Sequence, residues 1–399
     1  MELQELLTRG VAEIIVKEEL EQKLRSGRRL RLKMGFDPSK PNLHVGHLVG
    51  LRKIRQLQDL GHQVVLIVGD WTAQIGDPSG RDESRTMLDP ATVKANAETY
   101  MQQFFRVVNR SDTEVRWQSE WFGKFTLADV FNLTSRFTLG QMLAHETFRK
   151  RYEQGLPLSL MEMLYPLLQA YDSIAIKADV EFGGTDQKFN ILAGRELQRM
   201  LGQSPQDVFL VPLLVGTDGR KMSKSFENTI DLIDPPDQMY GKIMSMGDGV
   251  IGEYFRLTTD VPLQEIAEME ADMAAGRVNP RDLKMRLARE LVSQLHGEAA
   301  AKAAEAEFVR IFQKRELPSD MPELILCGPE NIVDLLVRSG LAATKSEARR
   351  LIQQGGVKLE EETIGNMEAN ISISEPTVLK VGKRRFLRLK PNVAMSSSQ

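Results

Sequence analysis

Cysteine is nearly absent from the chain: Cys327 stands alone among 399 residues. A single thiol excludes an internal disulfide framework and any zinc site built from several cysteines. Histidine is scarce as well, five scattered residues in all, and no zinc is expected. Long apolar runs are also missing, and none approaches the ~18 residues that a membrane span requires. The opening Met1-Glu2-Leu3-Gln4-Glu5 carries too much charge for a signal peptide. These absences lead to the expectation of a soluble chain in a reducing, cytoplasmic setting, without a membrane partner. What is present suits a globular protein able to bury a sizeable core: 42% hydrophobic and 27% charged residues. The length allows roughly two to three domains at about 100–200 residues each.

Net charge is −3, unevenly spread. Residues 331–391 hold eleven Lys/Arg against seven Asp/Glu, a surplus of +4, leaving −7 for the remainder. A basic C-terminal segment on an acidic body suggests a small module with an anionic partner, although a solvated charged face gives the same count.

Hydrophobic spacing predicts a helix over 2–25, with Leu3, Leu6, Leu7, Val11, Ile14 and Ile15 in helical phase. A strand over 30–36 closes at Asp37-Pro38, a helix over 45–60 follows, and 64–68 reads as a second strand. Strand–helix–strand is the unit of a parallel, doubly wound α/β sheet, in which ligands bind at the carboxyl ends of the strands. Residues 127–176 read as helices rich in Phe, Leu and Met, and 208–215 as a strand running into the polar loop 216–225. Beyond Asp234-Pro235-Pro236 the chain reads as helical to about 317, with Pro318, Pro322 and Pro329 punctuating a linker. The last segment alternates helix (332–339, 346–354) and strand (357–359, 386–389), with Thr344 and Glu347 spaced as a capping box.

Three constellations carry chemistry. His44-Val45-Gly46-His47 puts two of the five histidines three apart at a strand-to-helix turn, on one helix face. Free N–H groups at such a helix start favour an anion, and Gly46 lets a flat base approach the backbone. Alone, the tetrapeptide is as well explained by two surface histidines. Lys221-Met222-Ser223-Lys224-Ser225 follows in a polar loop, with two ammonium groups and two hydroxyls suited to a leaving pyrophosphate. Alone, it is a common surface pattern. Tyr165, Gln169 and Asp172 fall at i, i+4 and i+7, one face of a predicted helix. One further pattern, Gly247-Asp248-Gly249-Val250-Ile251-Gly252, matches a dinucleotide fingerprint but follows a helix rather than a strand, and so fails its context.

In this order and spacing, the histidine and lysine motifs resemble the two signatures of class I aminoacyl-tRNA synthetases. The Tyr165/Gln169/Asp172 face, with Gly183-Gly184-Thr185-Asp186-Gln187 and Gly76-Asp77-Pro78-Ser79-Gly80-Arg81, resembles the tyrosyl-tRNA synthetase family. The tryptophanyl relatives lack this face, and a non-catalytic RNA-binding descendant would not need both signatures intact. The tail is similar to the S4 RNA-binding module of bacterial tyrosyl enzymes, so the resemblance spans nearly the whole chain.

The resemblance implies a Rossmann-like catalytic domain over 1–230 with a helical insertion at about 127–176. A helical anticodon-side domain over 231–328 and a small α+β S4-like RNA-binding domain over 329–399 would follow. It implies L-tyrosine, ATP with Mg2+ carried by the nucleotide, and tRNA(Tyr) as partners, and a homodimer formed through the insertion. Asp172 would accept the phenolic hydroxyl. Tyr165, Gln169 and Asp77 would surround the ammonium, and Gln187 would lie on the carboxylate side, with Gly35 in the same pocket. Asp186 and Gly184 would hold ribose hydroxyls, His44 and Ser39 the γ-phosphate, and His47 would lie near the ribose, with Asp37, Gly46 and Met222 in the nucleotide site. Lys221, Lys224, Ser225, Arg81 and Arg85 would gather round the leaving pyrophosphate. Lys345, Arg349, Arg350, Lys383, Arg384 and Arg385 would meet tRNA phosphates.

Three positions depart from the best-known members. Lys33 replaces a tyrosine that meets the phenol. Alternation with Gly35 and Asp37 lets it point into the pocket, but an exposed strand-edge lysine fits equally. Met34 and Gly50 replace a cysteine and a threonine, each losing a side-chain hydrogen bond. Departures and length together resemble the second bacterial subgroup.

Overall fold

The computed structural model describes residues 3–39, 42–79, 88–222, 226–313, 321–360, 362–382 and 385–392. They form two compact units, 1–305 and 306–399. The segment 231–328, expected as a middle domain, is divided between them: its helices Pro236–Met244, Ile251–Thr258, Leu263–Ala274 and Pro280–His296 all lie in the first unit.

The first unit is built on a six-stranded sheet: β1 Glu13–Ile15, β2 Arg31–Phe36, β3 Gln63–Val68, β4 Thr113–Trp117, β5 Val180–Gly184 and β6 Asp207–Val211. Their spatial order is β1-β6-β5-β2-β3-β4, with β2 to β6 parallel and β1 antiparallel on the edge. The Gln-Val-Val-Leu-Ile-Val run of β3 is buried at every position after the first, as expected for a parallel strand covered on both faces. Chain order reverses between β2 and β5, and a crevice at the carboxyl ends of strands belongs at such a switch point. The helix Val45–Asp59 leaves β2 there, and Ile251–Thr258 packs against it. The helix Leu160–Ile176 starts on a reciprocal cap: the Ser159 hydroxyl accepts from Met161 N, and Glu162 accepts from Ser159 N at 2.9 Å.

Three element expectations need correction. Residues 2–25 are not one helix. Leu3–Leu6 and Lys17–Arg25 are helical, but β1 intervenes because Ile14 and Ile15 sit beside the open edge of β6, where Ala12 N donates to Leu210 O at 2.8 Å. β-branched residues at an available edge favour pairing over helix. The strand expected to 215 stops at Val211, because Pro212 has no N–H to continue the ladder. The proline-punctuated linker is partly a strand: β7 Glu323–Leu326 pairs parallel with β13 Arg385–Pro391.

The second unit contains a short antiparallel ladder of β8 Glu330–Asn331 with β11 Asn370–Ile371, and a five-stranded sheet ordered β10-β9-β12-β13-β7, with β9 Val357–Leu359, β10 Glu362–Thr363 and β12 Thr377–Val381. The helices Ile332–Arg338 and Lys345–Gln353 supply Leu335, Leu336 and Ile352 to a core shared with Leu379, Leu387 and Leu389. Thr344 caps the second helix, accepting from Glu347 N at 3.2 Å, while Glu347 accepts from Ala343 N at 2.8 Å.

Candidate active site

At the switch point the sheet opens into a cleft of about 650 Å3. Three distant stretches of sequence meet there. His44 and His47 lie on its wall at the start of Val45–Asp59, Lys221 and Met222 come from the loop after β6, and Tyr165, Gln169 and Asp172 come from one face of Leu160–Ile176. A Cβ built on Gly46 would stand 3.4 Å from Met222 Sδ, so the two signatures touch although about 175 residues separate them.

The histidines cap their own helix. Gly46 N donates to Nδ1 of His44 and His44 N donates to Nδ1 of His47, both at 3.2 Å, and the rings lie 4.0 Å apart. With Nδ1 of His44 accepting, the proton of that ring belongs on Nε2. Gly46 has no room for a side chain, since a Cβ would stand 2.9 Å from the His44 ring.

Carboxylates line the cleft as well: Asp37, Asp77, Asp172 and Asp186. Asp172 is 3% exposed and receives Gln118 Nε2 at 2.8 Å and Trp121 Nε1 at 3.1 Å, one donor on each oxygen. Burial pushes its carboxyl up to about 7; the Lys33 ammonium opposes the rise and Glu181 reinforces it. Tyr165 donates to Asp37 Oδ2 at 2.8 Å, and Thr72 donates to Asp37 Oδ1 at 2.7 Å. Burial, then the neighbouring Asp37 and Asp77, hold the Tyr165 phenol well above its ordinary value, so it stays neutral with its lone pairs available. Gln187 donates to Asp77 Oδ2 at 2.6 Å and accepts from Asn190 Nδ2 at 3.0 Å, which fixes its amide.

Gly184 and Asp186 are also on the cleft wall. A Cβ at Gly184 would stand 2.6 Å from Asp186 Oδ1 and 2.7 Å from Leu213 Cδ2, so a side chain there would have to displace both. Burial first, then Asp77, raises the Asp186 carboxyl, while Lys221 draws it down. Gly35 and Ser39 also line the cleft. Asp37, expected beside the nucleotide, is engaged by Tyr165 and Thr72. Arg81, Arg85, Lys224, Ser225, Lys383 and Arg384 lie outside the described residues.

Lys33 is neither of the two things expected of it. It is wholly buried on β2, and its ammonium meets Gln169 O at 2.8 Å, Ser173 Oγ at 2.8 Å and Glu181 Oε1 at 3.0 Å. Three acceptors use its three hydrogens, leaving none for a phenol. Met34 and Gly50, set aside on sequence, both line the cleft. Sequence reasoning missed Thr72, Gln118, Trp121 and Glu181. Trp121 and Gln118 carried a signal, an indole and an amide just after a strand, since every parallel strand here delivers its following loop to the cleft.

In the second unit Arg349 and Arg350 are exposed on Lys345–Gln353. Lys345 pairs with Asp334 at 2.6 Å, and Arg385 lies 3.6 Å from Glu347.

The family model for class I tRNA synthetases (W and Y) matches residues 25–313, and that for the tyrosine–tRNA ligase SYY-like C-terminal domain matches 313–389. The chain belongs to the class I tyrosyl-tRNA synthetase family. A tyrosine–tRNA ligase of Dehalococcoides mccartyi (strain CBDB1) is 56% identical over 388 residues, covering 96% of this chain and 98% of the relative. One from Thermotoga maritima is 50% identical over 385 residues, covering 96% of each. The C-terminally truncated mitochondrial tyrosyl-tRNA synthetase of Aspergillus nidulans has the same fold, with a TM-score of 0.64 at 23% identity, covering 77% of this chain and 93% of that one. Asp172 and Tyr165, on the face expected to separate tyrosyl from tryptophanyl enzymes, stand on the cleft wall.

Proposed function

We propose that the cleft joins L-tyrosine to ATP, giving tyrosyl-adenylate and pyrophosphate, and then passes tyrosine to the 3′ end of its tRNA. One observation carries the reading: a buried carboxylate, Asp172, with both oxygens already held by neutral donors, faces the same cleft as the histidine cap and Lys221. An acceptor so placed selects a ring that bears a hydroxyl, because a bare ring would desolvate its remaining lone pairs without supplying a further donor. Tyr165, Gln169 and Asp77 surround the ammonium, and Gln187 orients the carboxylate. A carboxylate oxygen attacks the α-phosphorus, and the bond to the β-phosphate oxygen breaks, its electron pair leaving with pyrophosphate. No side chain becomes a nucleophile; alignment and charge do the catalysis. His44, Ser39 and Gly46 take the phosphate chain with its Mg2+, His47, Gly184 and Asp186 the ribose, and Lys221 with Lys224, Ser225, Arg81 and Arg85 the departing charge. The helices from 231 onward serve the anticodon side, and Lys345, Arg349, Arg350, Lys383, Arg384 and Arg385 meet tRNA phosphates.

The chain acts as a homodimer in the cytoplasm. Supporting the dimer are Leu127, Phe131, Leu139, Tyr152 and Leu160, each at least 60% exposed within 127–160, a concentration of bare apolar surface that calls for a partner. Isotope exchange between pyrophosphate and ATP tests the activation step: it is expected with tyrosine and not with tryptophan or phenylalanine. Exchange driven equally by tryptophan, or by no amino acid, overturns the reading.

A further inference from the structure

Lys33 and Glu181 are register partners on the adjacent strands β2 and β5, directly beneath the helix that carries the tyrosine-facing residues. Their side chains are 1% and 2% exposed. Every acceptor and donor of the pair is used. Glu181 Oε1 takes Lys33 and the Gln169 amide, the latter at 3.1 Å, and Oε2 takes the Ser173 hydroxyl at 3.1 Å together with Gln206. Lys33 reaches back to Gln169 O and Ser173 Oγ. The pair thus clamps residues 169 and 173 of one helical stretch, and Asp172 lies between those two anchors. Glycine at 194 makes room for the cluster, since a Cβ there would stand 2.8 Å from Gln206 Nε2 and 3.0 Å from Ser173 Oγ.

Two buried charges are costly to keep for stability alone, because an apolar pair of the same volume often serves as well or better. We infer that the Lys33–Glu181 pair is a positioning device for tyrosine recognition, holding the Gln169 amide in place and supplying the charge balance behind Asp172. The inference rests on the proposed reading of the cleft, in which the phenol meets Asp172. Asp172 faces Lys33 on β2, Glu181 on β5, Tyr165 on its own helix, and the uncharged donors Gln118 and Trp121, with Asp37 and Asp77 further along the wall. Of these groups only Lys33 is a cation, so the two members of the pair pull the ionisation of Asp172 in opposite directions.

The test is the pH profile of kcat/KM for tyrosine in pyrophosphate exchange, for Lys33→Met, Glu181→Gln and the double variant. Lys33→Met is expected to move the acidic midpoint up by about one pH unit, and Glu181→Gln to move it down by a similar amount. The double variant is expected to return towards the parent. KM for tyrosine rises in both single variants while KM for ATP holds. A purely structural pair would lower activity in both variants without moving the midpoint in opposite senses, and that result overturns the inference. Should Lys33→Met fail to fold, Glu181→Gln decides it against the double variant, which leaves no buried charge unpaired: a Glu181→Gln midpoint no lower than that of the double variant overturns it. Asp172→Asn separates the two levels. If it leaves tyrosine KM and the acidic limb intact, the premise about the phenol fails. If it removes the limb while the pair variants leave it unmoved, only the role of the pair fails.

Discussion

Asp172 shows how one residue sets function against stability. Burial raises its carboxyl to about 7 from an ordinary 3.8. In the folded chain it therefore keeps a proton that the unfolded chain has released at intermediate pH. Its contribution to stability is fully present below about pH 4 and is lost as pH rises towards about 7, because there the unfolded state binds fewer protons. Tyrosine recognition asks for the opposite, an ionised acceptor, so kcat/KM for tyrosine is expected to rise as pH passes through about 7. Asp172→Asn should flatten the thermal-stability difference between pH 5 and pH 8, read by calorimetry. The same change replaces an accepting oxygen by a donor and should cost about 10²-fold in kcat/KM for tyrosine, the worth of one charge-assisted hydrogen bond. A variant with parental activity and a parental pH profile would refute the role given to Asp172. The i, i+7 spacing placed this residue on one helix face with Tyr165, and the family resemblance alone suggested its role. Its donors were not legible in sequence, since Gln118 and Trp121 lie more than fifty residues upstream and only the closing of the sheet brings them near.

At the level of elements, the readable features were those with a local cause. The strand at 31–36 and the helix at 45–59 followed from period and punctuation, and the observed bounds differ from the expected ones by one residue. What escaped was decided by neighbours in space. β1 is a strand because β6 offers an edge, and Lys33 is buried because Glu181 occupies the paired position on β5. Alternation correctly placed Lys33 on a face of β2 but gave no hint of what covers that face. The turn from β2 into the histidine helix combines both kinds of information. Its cap is local, with His44 and His47 exchanging bonds through the backbone, whereas its contact with Met222 is long-range. Gly46→Ala should therefore act on one step only. A methyl 2.9 Å from the His44 ring forces that ring aside. The rate of adenylate formation is expected to fall at least tenfold, a loss of about 1.4 kcal/mol of transition-state stabilisation, while tyrosine affinity measured in the absence of ATP is unchanged. Weakened tyrosine binding at a normal rate would contradict the division of the cleft.

Over the whole molecule, charge rather than packing is the quantity that sequence reports best. The surplus of +4 over 331–391 against −7 elsewhere needs no structure, yet its use depends on which side chains are already engaged. Lys345 is tied to Asp334 and Arg385 to Glu347, whereas Arg349 and Arg350 are exposed on Lys345–Gln353. An acidic body gives tRNA no long-range attraction, so the basic unit should supply it. Replacing both Arg349 and Arg350 by alanine in the full chain is expected to weaken tRNA binding and to reduce the salt slope by about two, roughly one for each phosphate that an arginine no longer neutralises. Lys345→Ala, which removes a charge already neutralised within the unit, should change the slope much less. Tyrosine-dependent pyrophosphate exchange should be the same in all of these variants, since it needs only small ligands held in the first unit. Truncation makes the same point more severely, but the cut belongs near residue 313 rather than at the prolines. β7 over Glu323–Leu326 pairs with β13, and a break after Gly328 would leave one strand of the second sheet behind. A chain ending at 313 that keeps full exchange but loses most tRNA charging would assign tRNA capture to the second unit. Full charging with an unaltered salt slope would place it elsewhere.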